Sequence, residues 1–430
     1  MSDTTHLRSL RTVTRSGHPD FLDLPWSRPL IDWEDDRLVE VARGIHRHVV
    51  SFVDYDGRLY ALKELPSRVA QREYRMLRKL AEEQLPVVEA VGVVGGRGAA
   101  DGEPLEDVLI TRYLDFSLPY RTLFVHSRPT GDSDVRDLTT RLLDALAMLL
   151  VRLHLGGFYW GDCSLSNTLF RRDAGALAAY IVDMETGEWH AELSDGQRGT
   201  DLEITETNVA GGLMDLQAQL GLPPDPDPVE TAEDLCRRYE RLWAELTREE
   251  VIRPDERHKI EARIRRLNEL GFDVDEIEVV GTGSEEQLVL RSFVTEQGFH
   301  RRRLHTLIGI EAQENQARSL LNDLANFRAA LEHESGRPVP EQVAAYRWLT
   351  EVFHPTVGTV PAELAGKLDP AEMFHELIEH KWFLSEQAGR DVGVGEALDS
   401  YMTHVLPEAP QERLVLADED EAEIGWIGWG

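Results

Sequence analysis

Two apolar runs in this chain end on a charged residue. Leu59-Tyr60-Ala61-Leu62 leads into Lys63, and Ala179-Tyr180-Ile181-Val182 leads into Asp183. A charge withdrawn from water is costly unless it is paired. A fold that keeps these runs as strands must supply partners at their ends. The lysine is a selective choice, because only five lysines occur among 46 basic residues and the rest are arginine. A compact ammonium at a strand end can hold nucleotide phosphates, whereas a guanidinium fork is bulkier and binds differently.

The run Trp160-Gly161-Asp162-Cys163-Ser164-Leu165-Ser166-Asn167-Thr168-Leu169-Phe170 lies before Asp183. Asp162 follows a glycine on a sharp loop and can orient a hydroxyl nucleophile or take its proton. Asn167, five residues on, and Asp183 are oxygen ligands suited to Mg²⁺, which bridges nucleotide phosphates. Glu185 is either a further ligand or a solvated side chain. Glu73, ten residues after Lys63, can pair with the ammonium and fix its direction. Each residue alone has a plainer reading. Lys63 can snorkel at a strand end, and Glu73 can pair with a helical arginine. Asp162 can cap a turn, Asn167 can close a loop, and Asp183 can cap a helix.

The pattern of the chain places these residues. Residues 1–30 form a mostly irregular leader in which Phe21 to Trp26 acts as an apolar latch. Strands are predicted at 38–41, 48–53 and 59–65, with a hairpin turn at 54–57. A helix over 67–83 follows, with Ser67 as N-cap. Strands at 87–94 and 108–113 flank a glycine-rich loop. The apolar helix 137–155 ends at Gly156-Gly157. Short strands at 168–170 and 179–182 surround a turn, and a helix is predicted over 202–220, about 18 residues after Asp183.

Pro223 to Pro228 is linker-like in composition, and the linker is set at 223–230. Beyond it, helices are predicted at 231–250, 254–270, 311–334, 338–353, 370–388 and 394–405, with strands at 277–280 and 287–294. Residues 411–430 form an acidic tail.

The net charge of −32 argues against general nucleic-acid binding and adsorption to anionic membranes. No apolar stretch reaches 18 residues and the N-terminus lacks a signal-like apolar segment, so neither a membrane span nor a secretory signal is expected. Two cysteines, Cys163 and Cys236, fit a reducing cytoplasm.

Residues 38 to about 222 resemble a protein-kinase-like fold of the lipopolysaccharide kinase (Kdo/WaaP/InaA) group. Ala61-Leu62-Lys63 resembles the strand-three lysine motif and Glu73 the helix-C glutamate. Asp162 to Asn167 matches the catalytic-loop spacing, and Asp183 resembles the metal-binding Asp of Asp-Phe-Gly. The resemblance implies an α+β, bilobal kinase-like domain over 31–222, with lobes at about 31–115 and 116–222. It also implies ATP and Mg²⁺ as cofactors. Lys63, Gly44, Arg47 and Tyr113 would bind the nucleotide, and Asn167, Asp183 and Glu185 the metal. Lys63, Glu73 and Asp162 would be catalytic, acting on a sugar or other small hydroxylated acceptor, with a protein acceptor as the other option.

The departures are specific. The phosphate-covering turn Arg43 to His48 has one glycine. Trp160-Gly161-Asp162 stands for His-Arg-Asp, and Asp183-Met184-Glu185 for Asp-Phe-Gly. A nucleotide-binding pseudokinase or scaffold is the alternative reading, and nucleotidyl transfer a third.

Residues 231–410 are read as a mainly helical domain, and Glu311-Ala312-Gln313-Glu314-Asn315-Gln316-Ala317-Arg318 with Lys381-Trp382-Phe383-Leu384-Ser385-Glu386 resembles an uncharacterised bacterial domain fused to such kinase-like domains. His300-Arg301-Arg302-Arg303 with His305 is a basic patch that either binds a phosphate-bearing ligand, docks on the acidic kinase half, or starts a solvated helix. His375 and His380 are five residues apart, the wrong spacing for a helical zinc pair.

Overall fold

The computed structural model describes residues 10–39, 48–55, 57–99, 102–127, 132–221, 227–248, 250–252, 257–270, 272–281 and 288–409. Gly44 and Arg47, expected at the phosphate-covering turn, lie outside the described residues, as does the tail 411–430.

The first half opens with β1 (Arg11–Thr14), β2 (Leu38–Val39), β3 (Val50–Tyr55), β4 (Arg58–Leu65), α1 (Ser67–Glu82), β5 (Ala90–Gly95) and β6 (Asp107–Arg112). The strands form one sheet in the order β1-β5-β6-β4-β3-β2. The leader is therefore not simply irregular, since its β1 pairs antiparallel with β5 and adds a sixth strand. Alternation along β4 sorts its residues between two faces. Tyr60 and Leu62 pack with Phe21, Leu24, Trp26, Leu30 and Trp33 of the latch. Lys63 and Leu65 face the other way, toward α1, whose Ala70, Glu73, Tyr74, Leu77 and Leu80 are buried.

A buried ion pair fastens the latch. Arg97 Nη1 donates to Glu64 Oε1 at 2.7 Å, and its guanidinium also donates to the carbonyls of Trp26, Arg28 and Glu106. Removing one partner of such a pair would leave a buried charge uncompensated. Ser67 does not cap α1. Pro66 holds the cap position, and the Ser67 hydroxyl donates to Asp107.

The chain continues through β7 (Leu118–Pro119), α2 (Tyr120–Ser127), α3 (Asp132–Leu155), β8 (Phe158–Tyr159), β9 (Thr168–Asp173), β10 (Ala176–Ile181), β11 (Glu188–Trp189) and α4 (Asp195–Leu220). Helix α3 is buried nearly all round from Leu142 to Leu153, so it forms the axis of this lobe. Helix α4 starts at Asp195, closer to Asp183 than expected, because Ser194 and Gln197 form a capping box ahead of the apolar stretch.

Helix α5 (Pro228–Thr247) also starts earlier than expected. Asp227 caps it and Pro228 occupies its first turn, so the last residues assigned to the linker are structured. Its Leu235, Tyr239 and Leu246 join the same core as α3 and α4.

Then come β12 (Glu250–Ile252), α6 (Arg257–Glu269), β13 (Phe272–Gly281) and β14 (Leu288–Gln297), a three-stranded sheet in the order β12-β14-β13. The rest is helical: α7 (Phe299–Ile308), α8 (Glu314–Ser335), α9 (Glu341–Trp348), a π-helical turn (Leu349–Phe353), α10 (His354–Gly358), α11 (Pro370–Ala388) and α12 (Val394–His404).

The helical half grips the β9–β10 turn. Asp173 accepts from the Gln316 backbone N–H at 2.8 Å and from the Asn315 amide at 3.0 Å. Gln316 also donates to the Arg172 carbonyl, the Tyr180 hydroxyl donates to Gln313, and Glu372 accepts from the Ala174 N–H. Asp173 is the hub of this joint. Asp173→Ala strands two buried donors and should cost about 1–3 kcal/mol, read as a lower urea midpoint for the full chain. An unchanged midpoint would show that the joint does not depend on it.

Candidate active site

Strand β4, helix α1 and the segment after β10 converge at Lys63. Its Nζ lies 2.8 Å from Asp183 Oδ2, 3.3 Å from Glu73 Oε2 and 3.3 Å from Glu185 Oε1. Glu73 reaches it because it lies on the buried face of α1. Asp183 reaches it because it follows β10, whose Ile181 pairs with Thr168 beside the loop.

The Lys63 side chain is 14% exposed and that of Glu73 1% exposed. Burial works against the Lys63 ammonium, but Glu73, Asp183 and Glu185 outweigh it and hold the lysine above its usual value. Burial pushes Glu73 up to about 7, with Lys63 pulling the other way. His48 adds a contact to Glu185 at 2.7 Å.

The loop before β9 builds the second part. The Asn167 amide donates to the Asp162 carboxylate at 3.0 Å and to the Asp162 carbonyl at 3.1 Å. The other Asp162 oxygen accepts from Asn208 of α4 at 3.1 Å. Asp201, fully buried on α4, accepts from the Trp160 and Gly161 backbone N–H groups at 2.8 Å each. It also contacts the His154 ring, which meets the Tyr239 hydroxyl on its other nitrogen.

Gly161 has φ +73°, and a Cβ there would come within 2.8 Å of the Tyr159 ring. The sharp turn thus needs glycine. The two parts are joined through Trp160, whose indole donates to the Asp183 carbonyl and whose own carbonyl accepts from Thr186.

The structure therefore brings Lys63, Glu73, Asp183 and Glu185 together, and separately joins Asp162 to Asn167. Tyr113 lies just past β6, its N–H on the Leu59 carbonyl and its ring edge-on to Phe52; burial, then Asp115, raises its hydroxyl to about 12. Cys163 is fully buried, and burial raises its thiol.

The histidines His375 and His380 meet different serines, Ser319 and Ser400. In the basic patch, His300 binds Glu314 in a largely buried contact, and Arg303 pairs with Glu341 at the surface.

Sequence reasoning missed Asp201 and Asn208. The signal was available: Asp201, Thr205 and Asn208 recur at helical spacing, next to the apolar series Val209, Leu213 and Leu216.

The donor set suits a divalent cation. Glu73, Asp183 and Glu185 each offer an oxygen within 4.8 Å of the others, and a single ammonium leaves negative charge in excess. Asp183 and Glu185 are the accessible members, at 28% and 30% exposure. Asn167 commits its amide nitrogen to Asp162, so its oxygen is the ligand-type atom.

Residues 57–208 match the lipopolysaccharide kinase (Kdo/WaaP) family, and residues 241–406 match a domain of unknown function (DUF4032). The first half of the chain is kinase-like. No curated protein matches the chain. A solved structure of WaaP in complex with acyl carrier protein is similar at 19% identity, covering 47% of this chain and 88% of that one, with a TM-score of 0.30. No helix among the described residues is long and apolar enough to cross a membrane.

The raised Glu73 value has a pH consequence. A group whose folded value exceeds its ordinary 4.5 contributes stability that is complete below 4.5 and lost as pH rises through about 7. Glu73→Gln removes that titration. Wild type should lose thermal stability relative to Glu73→Gln between pH 5 and pH 8, read from paired melting curves. A constant difference would contradict the burial argument.

Proposed function

We propose that the kinase-like half is an ATP- and Mg²⁺-dependent phosphotransferase that moves the γ-phosphoryl group to the hydroxyl of a sugar or other small molecule. The observation that carries the reading is the Lys63 ammonium held between Glu73 of one lobe and Asp183 of the other. Lys63 would hold the nucleotide phosphates, with Glu73 fixing its direction. Asn167 and Asp183, with Glu185 beside them, would hold the metal, which when bound neutralises phosphate charge.

Asp162 would orient the acceptor hydroxyl and receive its proton as the new oxygen–phosphorus bond forms and the bond to the departing diphosphate breaks. Asn167 and Asn208 hold both Asp162 oxygens and so set the direction of that carboxylate. A small acceptor fits the short stretch between Asp183 and α4, which begins at Asp195 and leaves little room for a peptide-docking segment.

A second reading has its own observation. Glu185 stands where a hinge glycine is expected and contacts both Lys63 and His48. That arrangement suits a nucleotide-binding switch that does not transfer phosphate.

The test is nucleotide binding and γ-phosphate turnover by the full chain with Mg²⁺ and a panel of hydroxylated acceptors. Asp162→Asn should lower kcat by about 10²–10⁴ with nucleotide binding largely kept. Lys63→Ala should weaken both binding and turnover. Asn208→Ala should lower kcat by about tenfold with the nucleotide KM nearly unchanged. Binding without turnover selects the switch reading. A protein that neither binds nor consumes any nucleotide excludes both, and transfer of a whole nucleoside monophosphate, seen by mass, would replace phosphotransfer with nucleotidyl transfer.

A further inference from the structure

The support for the loop that carries Asp162 extends beyond the residues that match the kinase family. Asp201 accepts from the Trp160 and Gly161 N–H groups, and its Oδ2 also meets Nε2 of His154 at 3.1 Å. His154 Nδ1 lies 2.7 Å from the Tyr239 hydroxyl. The side chains of His154 and Asp201 are both fully buried, and Tyr239 is buried with them. Tyr239 belongs to α5, which packs against both α3 and α4. It stands between the two matched segments, 57–208 and 241–406.

A carboxylate can only accept, so the His154 nitrogen facing Asp201 carries the hydrogen. The other nitrogen, Nδ1, is then an acceptor, and the Tyr239 hydroxyl is the donor placed to fill it. Burial raises that hydroxyl above its usual value, with Arg198 pulling the other way, so it keeps its proton. The Tyr239 ring is held by its neighbours. It meets the His154 ring edge-on at 5.2 Å and stacks on Trp243 at 5.9 Å. Trp243 in turn has the Arg198 guanidinium 4.1 Å from its ring, and Arg198 is anchored to the Leu193 carbonyl and to Asp195. Three side chains from three helices thus form one hydrogen-bonded chain that ends on two backbone N–H groups.

We propose that Tyr239 is a positioning residue for the Asp162 loop, and that α5 completes the catalytic lobe although it lies outside the kinase-family match. The hydroxyl fixes the His154 ring in the orientation that presents Nε2–H to Asp201. Asp201 then holds the Trp160–Gly161 turn, and that turn sets where Asp162 stands. Without the hydroxyl, a buried ring nitrogen has no donor, and the ring loses the contact that fixes its direction. The helical half follows α5 directly in sequence, so a change in how α5 packs would be felt at the loop. The kinetic consequence rests on the phosphotransferase reading, whereas the effect on the loop does not.

The experiment compares full-length wild type with Tyr239→Phe, which keeps the ring and its packing. Tyr401→Phe is the control, since it removes a similarly buried tyrosine hydroxyl, bonded to Glu376, from the helical half. Circular dichroism and melting curves check that each variant is folded. Amide hydrogen exchange is read by mass spectrometry on peptides spanning Trp160 and Gly161. It should run about fivefold to tenfold faster there in Tyr239→Phe, with exchange in β4 unchanged. Tyr401→Phe should exchange at the wild-type rate in the same peptides. With γ-phosphate turnover as the readout, Tyr239→Phe should lower kcat by about tenfold and leave the nucleotide KM nearly unchanged. A loop loosened in Tyr239→Phe, in a protein whose wild type shows no turnover, would count against the phosphotransferase reading and still support the positioning role. The proposal is overturned if Tyr239→Phe exchanges like wild type at Trp160 and Gly161, if Tyr401→Phe loosens the loop as much, or if Tyr239→Phe keeps the kcat of an active wild type.

Discussion

A lysine ammonium largely shielded from water has few ways to be stable, and this chain uses three carboxylates to achieve it. Lys63 comes from the sheet, Glu73 from the helix across it, and Asp183 and Glu185 from the other lobe. Every one of these positions depends on something else being right. Register in β4 turns Lys63 toward α1, and the helical period of α1 turns Glu73 toward Lys63. The β9–β10 pairing brings Asp183 beside the loop that carries Asp162. The three carboxylates would repel one another without the ammonium, so the lobes close on a charge balance as much as on apolar contact.

Asp201 plays the corresponding part for the loop. A sharp turn leaves backbone N–H groups pointing inward, and these need an acceptor. A single buried carboxylate satisfies two of them and is itself steadied by His154. The loop's shape is therefore imposed from α4, and so is the direction of the Asp162 carboxylate through Asn208.

Residues that carry a local signal were legible in the sequence. Lys63 stood out in an arginine-rich chain, Asp183 ended an apolar run, and α3 announced itself by its leucines. Residues whose meaning depends on distant partners were not. The helical spacing of Asp201, Thr205 and Asn208 marks a shared face, but it does not say that Asp201 will meet Trp160, about 40 positions earlier. Arg97 lies in a glycine-rich stretch that reads as solvent-exposed, yet it is buried on Glu64 and the latch carbonyls. Strand β1 was hidden because it is short and half exposed, and only its pairing with β5 defines it. The starts of α4 and α5 were misjudged for another reason: polar caps precede the apolar pattern and are easily counted as loop.

The pairing of β1 with β5 bears on how the sheet avoids sticking to other chains. Without β1, the outer edge of β5 would present its backbone donors and acceptors along a strand of valines and glycines, a template for unwanted strand addition. The chain covers that edge with four residues, one of them Arg11, and follows them with Arg15 paired to Glu89. Gly92 lets the two backbones approach, since a Cβ there would meet the Val13 carbonyl at 2.4 Å. The new outer edge is only four residues long, which makes it a poorer surface for further strands than the six-residue β5. The leader thus covers an edge that would otherwise be open to strand addition, and a chain begun at residue 57, where the family match starts, would lack β1 and leave that edge of β5 bare.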